Sequence, residues 1–264
     1  MSTKTTEPQD LLLRHNLKAL RLPTMLSEYA KLSREAADAD EDYQGYLLRL
    51  SELELATRAG NALAMRIKAA GFPVIKELAD FDFTLVPQLS KPRVLELARG
   101  EWIGQQANVA LIGNSGTGKT HLAVALGLCA CRSARRVKFT TAATLANQLE
   151  EAQKQYRLER LLTQLEKVDL LIIDELGYLS FSRSAAELLF QVFADRYERG
   201  SILVTSNLPF GDWSTIFQGE RMTAALLDRF THRCSIFEMN GESYRFRESA
   251  RTKGVKSSEE KKTV

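Results

Sequence analysis

The run Gly113-Asn114-Ser115-Gly116-Thr117-Gly118-Lys119-Thr120 constrains the fold of this chain more than any other feature. It fits G-x-x-x-x-G-K-[ST], a pattern that works only with a strand before it and a helix after it. Both neighbours read that way: 109–112 (VALI) is a short apolar run and HLAVALGLCA an apolar helical stretch. The glycines let the backbone curl until several N–H groups face one concavity, which suits phosphate oxygens. Lys119 adds a point charge for the β and γ phosphates, and the Thr120 hydroxyl is a ligand for Mg²⁺. The helix that follows turns its positive end toward the same anion.

Around this loop the chain alternates. Apolar runs at 109–112, 137–140, 169–173, 201–205 and 235–238 are separated by helical stretches. Strands joined by helices imply β-α-β units and a parallel sheet, hence an α/β fold. Such a sheet is covered on both faces, so its strands are apolar throughout instead of alternating.

Upstream the periodicity is helical. Leu11, Leu12, Leu17 and Leu20 recur at helical spacing, Pro23 breaks the run, and Thr24 is placed to cap a second helix carrying Met25, Leu26, Tyr29 and Leu32. Residues 36–42 read as an acidic connector, and a longer helix from Tyr43 ends at Gly71-Phe72-Pro73. The expected organisation is a small all-helical N-terminal domain (1–75), a linker and entry segment (76–107), an α/β core (108–247) and a loose basic tail (248–264).

Composition narrows the class. The 264 residues are 44% hydrophobic and 26% charged, which excludes a mostly disordered chain and a collagen. The net charge of +3 excludes a protein coated in positive charge but leaves nucleic acid open, because clustering decides. Three cysteines, Cys129, Cys131 and Cys234, cannot all pair, and a lone C-x-C is a poor zinc site; Cys129 and Cys131, in an apolar helical stretch, read as buried thiols. The N-terminus lacks the apolar core of a secretory signal, and no apolar run approaches the ~20 residues of a membrane span. The expectation is a cytoplasmic protein with no membrane partner.

Two further strand ends carry chemistry. Leu170-Leu171-Ile172-Ile173 leads into Asp174-Glu175, and ligands of open α/β sheets bind at the carboxyl ends of strands. Asp174 is expected to hold Mg²⁺ with Thr120, and Glu175 to polarise the attacking water. Asn207, after Ser201-Ile202-Leu203-Val204-Thr205-Ser206, is placed to hydrogen-bond phosphate and water, although Asn after a strand is also ordinary turn chemistry. Arg229, in the helix-like stretch 222–230, reads by itself as a surface or salt-bridge residue.

GNSGTGKTHLA, LLIIDELGY, LVTSNLPFGDW, LLDRF-x-H and GESYR, in that order, resemble the IstB-type ATP-binding helper proteins of insertion sequences. These belong to the AAA+ class and are relatives of the DnaC helicase loader. The resemblance runs from about Leu11 to Arg247. It implies an AAA+ P-loop NTPase core, with ATP and Mg²⁺ bound between subunits of a homo-oligomer. It implies Glu175 as the catalytic glutamate, Asn207 as the sensor asparagine and Arg229 as an arginine acting on a neighbouring subunit, with Arg221 a competing choice. Arg245 lies near where a second arginine for the γ-phosphate is expected. It also implies duplex DNA, bound with little sequence preference, and a cognate transposase as partners. A DnaC-like helicase loader shares the core motifs and is the alternative; a small-molecule kinase fits the Asp-Glu pair less well.

DNA binding without base readout needs rows of cations that neutralise phosphates. Lys154, Arg157 and Arg160 fall at i, i+3, i+6 and are expected on one helix face, although Glu150, Glu151 and Glu159 are interspersed. Arg14, Lys18 and Arg21 form a similar row on the first helix, with leucines opposite. Residues 1–107 hold 14 basic and 15 acidic residues, whereas 245–264 hold seven basic and three acidic.

Overall fold

A computed structural model of the chain describes residues 7–241. It divides into two units between Met65 and Arg66. Arg245 and the basic tail lie outside the described residues.

The first unit is built from α1 (Glu7–Ala19), α2 (Pro23–Asp38) and α3 (Tyr43–Ala70), the last of which runs on past the boundary. Leu17, Tyr29, Leu32 and Leu50 form its core, with Met25, Leu26 and Tyr46 packed around them. Pro23 opens α2, where its missing N–H costs nothing. Thr24 is not the cap that the sequence suggests. The Thr24 and Met25 N–H groups instead donate to one Glu54 carboxylate oxygen at 2.8 and 2.9 Å, so α2 is capped from α3. Glu54 is only 2% exposed and also accepts from Arg58 Nε at 2.7 Å. The connector is shorter than expected, because Ala36 is buried and keeps α2 helical through Asp38.

The second unit carries α4 (Lys91–Ala98) and α5 (Glu101–Gly104), followed by the sheet. Its strands are β1 (Asn108–Ile112), β2 (Val137–Thr141), β3 (Leu170–Leu176), β4 (Ser201–Ser206) and β5 (Cys234–Glu238). They pair in parallel in the order β2-β3-β4-β1-β5, which is the expected parallel sheet. The helices are α6 (Lys119–Arg132), α7 (Ala142–Lys154), α8 (Leu158–Glu166), α9 (Arg183–Arg196), α10 (Trp213–Phe217) and α11 (Glu220–Thr231).

Burial explains the apolar strands. Val109, Ala110, Leu111 and the whole run Leu170–Ile173 are fully enclosed. Leu145, Leu149, Leu189, Val192, Trp213 and Phe217 pack on one face of the sheet, and each fully buried side chain of this size contributes about 1.5–3 kcal/mol. Arg196 ties the end of α8 to the start of β4, its guanidinium donating to Leu165 O at 2.7 Å and Ser201 O at 2.9 Å. Burial pulls its pKa down to about 10, which leaves it protonated near neutral pH.

Candidate nucleotide site

The loop between β1 and α6 can exist only with glycine at its ends. Gly113 has φ +150, and a Cβ there would stand 2.2 Å from Met239 O. Gly118 has φ +90, and a Cβ would stand 2.9 Å from the Phe81 ring. Thr117 Oγ1 donates to Asn114 O at 2.9 Å, which closes the loop on itself, and Gly113 N–H donates to Ser206 O at 3.1 Å, which anchors its start to β4. Lys119 Nζ donates to Gly113 O and Asn114 O, each at 2.7 Å. Its ammonium therefore sits over the concavity, at the start of α6.

The start of the segment expected as linker and entry to the core is built against this loop. It forms two short 3-10 turns, Leu78–Asp80 and Phe83–Leu85. Glu77 O accepts from His121 Nε2 at 2.9 Å, so that nitrogen is assigned the proton. Arg132 grips the Glu77 carboxylate with two bonds of 2.6 and 2.8 Å and holds its pKa below the usual carboxylate value. The Phe81 ring meets the His121 ring edge-on at 5.3 Å. None of this was legible locally, because each contact joins residues that are far apart in sequence.

Asp174 lies at the end of β3 and is 3% exposed. Thr120 Oγ1 stands 3.0 Å from both of its carboxylate oxygens. A carboxylate beside a hydroxyl is the hard-oxygen donor set that suits Mg²⁺, so these two residues fit that ion. Glu175 follows with φ +59 and an exposed side chain. Its N–H donates to Thr205 Oγ1 at 2.9 Å, and Thr205 Oγ1 donates to Asp174 Oδ1 at 2.5 Å. Asn207 is exposed, immediately beyond β4. Thr205 carried no signal in the sequence, since a β-branched residue in a buried strand reads as a strand former.

The register puts these groups at one end of the sheet: Ile112 pairs with Ser206, and Thr141 with Asp174. Arg229 is at the other end. It lies in the last turn of α11, next to Phe230, whose carbonyl accepts from Asn108 Nδ2 at 2.9 Å at the start of β1. Its guanidinium lies 6.0 Å from the centre of the Phe190 ring, and the residue is exposed. Arg221 is exposed at the beginning of α11, where it lines an open cavity of about 420 Å³ with Arg183, Glu187 and Gln218.

The basic rows differ from expectation in geometry. Lys154 ends α7, Tyr156 adopts φ +56, and α8 begins at Leu158, so Lys154, Arg157 and Arg160 surround a tight turn and do not share a helix face. All three are exposed, as is Tyr156 at 97%. Arg21 lies beyond the end of α1 with φ +56, which leaves Arg14 and Lys18 on the helix. Arg14 pairs with Asp10 at 2.9 Å and lies over the Tyr29 ring. Leu17 is the buried leucine of α1, while Leu11, Leu12, Leu13 and Leu20 are exposed.

Among the described residues no cluster of three or more His, Cys, Asp or Glu could hold a metal ion. Cys131 is buried, and burial pushes the Cys234 thiol up to about 12. No described helix is long and apolar enough to cross a membrane.

A parallel sheet in the order β2-β3-β4-β1-β5, with a glycine-rich loop after β1 and an acid at the end of β3, defines a P-loop NTPase of the AAA+ class. The fold is similar to AMPPCP-bound DnaA from Aquifex aeolicus, with a TM-score of 0.54 and 23% identity over 64% of this chain and 51% of that one. It is also similar to DnaI, with a TM-score of 0.51 and 19% identity over 64% of this chain and 89% of that one. Within the class, the chain belongs to the IstB-like ATP binding protein family, whose pattern it matches over residues 15–252. A relative from Sinorhizobium fredii, named as an insertion sequence ATP-binding protein, is 38% identical over 90% of this chain and 80% of its own length. Others so named, from Geobacillus stearothermophilus and Pseudomonas aeruginosa, are 38% and 37% identical over 87% and 88% of this chain and cover 91% and 88% of their own lengths.

Proposed function

We propose that this protein is an ATP-dependent, DNA-binding regulator of transposition. It assembles on duplex DNA with ATP between copies of the chain, recruits or stimulates the transposase of its insertion sequence, and hydrolyses ATP to release the assembly. Residues 1–75 serve as a DNA- or partner-binding domain, 76–107 as the entry to the core, 108–247 as the ATPase and 248–264 as a basic tail.

The observation that carries this reading is the division of the site between the two ends of the sheet. The loop 113–120, Asp174, Glu175 and Asn207 gather where the strands end, and Arg229 lies where they begin. The five residues of β1 alone separate these ends by about 16 Å at ~3.3 Å per residue. Arg229 is thus badly placed for the nucleotide of its own chain and available to that of a neighbour, which supports a site completed by oligomerisation.

The roles follow from the chemistry of each group. Backbone N–H groups of Gly113, Asn114, Ser115, Gly116, Thr117 and Gly118 cradle the phosphates, and Lys119 leaves its two carbonyl partners to meet the β and γ oxygens. Thr120 and Asp174 would hold Mg²⁺, which when bound supplies positive charge to the phosphate oxygens. Glu175 accepts the proton of the attacking water, Asn207 orients that water, and the partner copy's arginine stabilises charge on the transferring group. Arg245 is assigned to the γ-phosphate from the resemblance alone. Lys154, Arg157 and Arg160 around the α7–α8 turn, and Arg14, Lys18 and Arg21, are assigned to DNA phosphates.

The test is phosphate release with and without duplex DNA, repeated across a salt series. DNA should raise turnover, and log K for DNA should fall linearly with log salt. Turnover that ignores DNA, or a flat salt plot, would contradict the DNA part of this reading.

A further inference from the structure

We infer that Thr205 is a positioning residue for ATP hydrolysis: its hydroxyl builds the β-bulge that separates the work of Asp174 from that of Glu175. The inference rests on the ATPase reading above.

Between β3 and β4 the ladder is regular up to Ile173 opposite Val204 and resumes with Leu176 opposite Ser206. Two residues of β3, Asp174 and Glu175, therefore face one residue of β4, Thr205. That count defines a bulge, a feature that re-aims side chains beside active sites. Consecutive residues of a regular strand point to opposite faces and share one direction of travel. Here Glu175 turns into the left-handed region at φ +59, a conformation unfavourable for any residue with a Cβ. Asp174 stays buried while the side chain of Glu175 emerges.

The extra residue removes the ordinary ladder partner of the Glu175 N–H, and Thr205 Oγ1 replaces it at 2.9 Å. The same oxygen donates its proton to Asp174 Oδ1 at 2.5 Å. Thr205 is 1% exposed, so water is no ready substitute for either bond. Thr120 holds the same carboxylate from α6 at 3.0 Å. Asp174 is thus fixed by two hydroxyls, one from the phosphate loop's helix and one from β4. On the other side Thr205 pairs with Leu111, so β1, which leads into the loop, and both acids are referenced to one residue. Thr205 touches no reacting atom; it sets the rotamer of Asp174 and the backbone from which Glu175 reaches.

The experiment compares Thr205→Val, which keeps the shape and loses the hydroxyl, with Thr205→Ser, which keeps the hydroxyl. Steady-state turnover, equilibrium ATP binding and amide exchange at Glu175 are measured on the full chain. Thr205→Val should lower kcat at least tenfold, leave ATP affinity within about threefold and accelerate exchange of the Glu175 amide, because one lost polar contact in a catalytic array is worth an order of magnitude or more. Thr205→Ser should keep at least half of the parental kcat. If Thr205→Val does not fold, Thr205→Ala takes its place with the same expectations. Parental turnover in the hydroxyl-free variant, or equal losses in the Ser and Val variants, would overturn the inference. Absence of ATP turnover in the parental protein would overturn the ATPase reading instead, and the two failures are distinct.

Discussion

The hydroxyl of Thr120 stands 3.0 Å from both carboxylate oxygens of Asp174, joining the first turn of α6 to the end of β3 across 54 residues. That contact converts two separate sequence motifs into one site. It also orders the remaining groups, since Lys119 precedes Thr120 at the head of the helix and Glu175 follows Asp174 on the bulge.

Lys119→Ala should abolish ATP binding while leaving the fold in place. The Lys119 ammonium bonds two carbonyls of its own loop, so its loss removes the main cation of the concavity without opening the core. Equilibrium binding of a fluorescent ATP analogue, with a melting curve beside it, checks this. Parental affinity in the variant would contradict the placement of the phosphates.

Glu175→Gln should bind ATP and hydrolyse it at least a hundredfold more slowly, in line with the ~10²–10⁴-fold typical of a lost general base. Trapped in the ATP state, the variant should stay assembled on duplex DNA. Sedimentation of the complex checks this, and a parental hydrolysis rate would remove Glu175 from the proposed role.

Arg157→Glu, at the α7–α8 turn, should weaken duplex binding and flatten the salt slope by about one to two charges, since each lost phosphate contact takes ~0.9 from it. ATP binding should be unaffected, because the turn belongs to neither the phosphate loop nor the strand ends. An unchanged slope would move the DNA to another surface.

The helical unit should lose stability in acid. Burial raises the pKa of Glu54, but the Met25 N–H, Arg58 and the Thr24 N–H together outweigh it and hold the carboxyl below the usual carboxylate range. A carboxylate with a lowered folded pKa contributes stability that is present above its unfolded pKa and lost as pH falls through the folded one. Glu54→Ala uncaps two N–H groups and should cost about 2 kcal/mol near neutral pH. It should also remove part of the acid sensitivity below about pH 4.5, the region set by the unfolded carboxylate. Thermal melts of parent and variant from pH 3 to 7 measure both effects.

Much of the fold was legible because its signals are local. The phosphate loop announces itself by glycine spacing, and the apolar runs at 170–173 and 201–205 announce buried strands by composition. What was hidden is set by tertiary contacts. The break at Tyr156 comes where glycine is the usual helix terminator, and no turn residue marks it. Arg21 ends α1 in the same left-handed way. The cap of α2 comes from Glu54, thirty residues downstream of Thr24, so no capping pattern at 23–25 could reveal it. Asp174 and Glu175 were readable as an acid pair, but the bulge that parts them depends on a hydroxyl from another strand.

Complementation between two inactive variants reads out whether each nucleotide site is finished by a neighbouring copy. Lys119→Ala supplies an intact Arg229 beside a dead phosphate loop, and Arg229→Ala supplies the reverse. Each alone should lose turnover, by about 10³-fold or more for the arginine. Mixed in equal amounts with ATP and duplex DNA, they should regain about a quarter of parental turnover, the fraction of interfaces that pair an intact loop with an intact arginine in trans. A mixture as inactive as its components, from variants shown to co-assemble, would mean that no neighbouring copy's Arg229 completes the site.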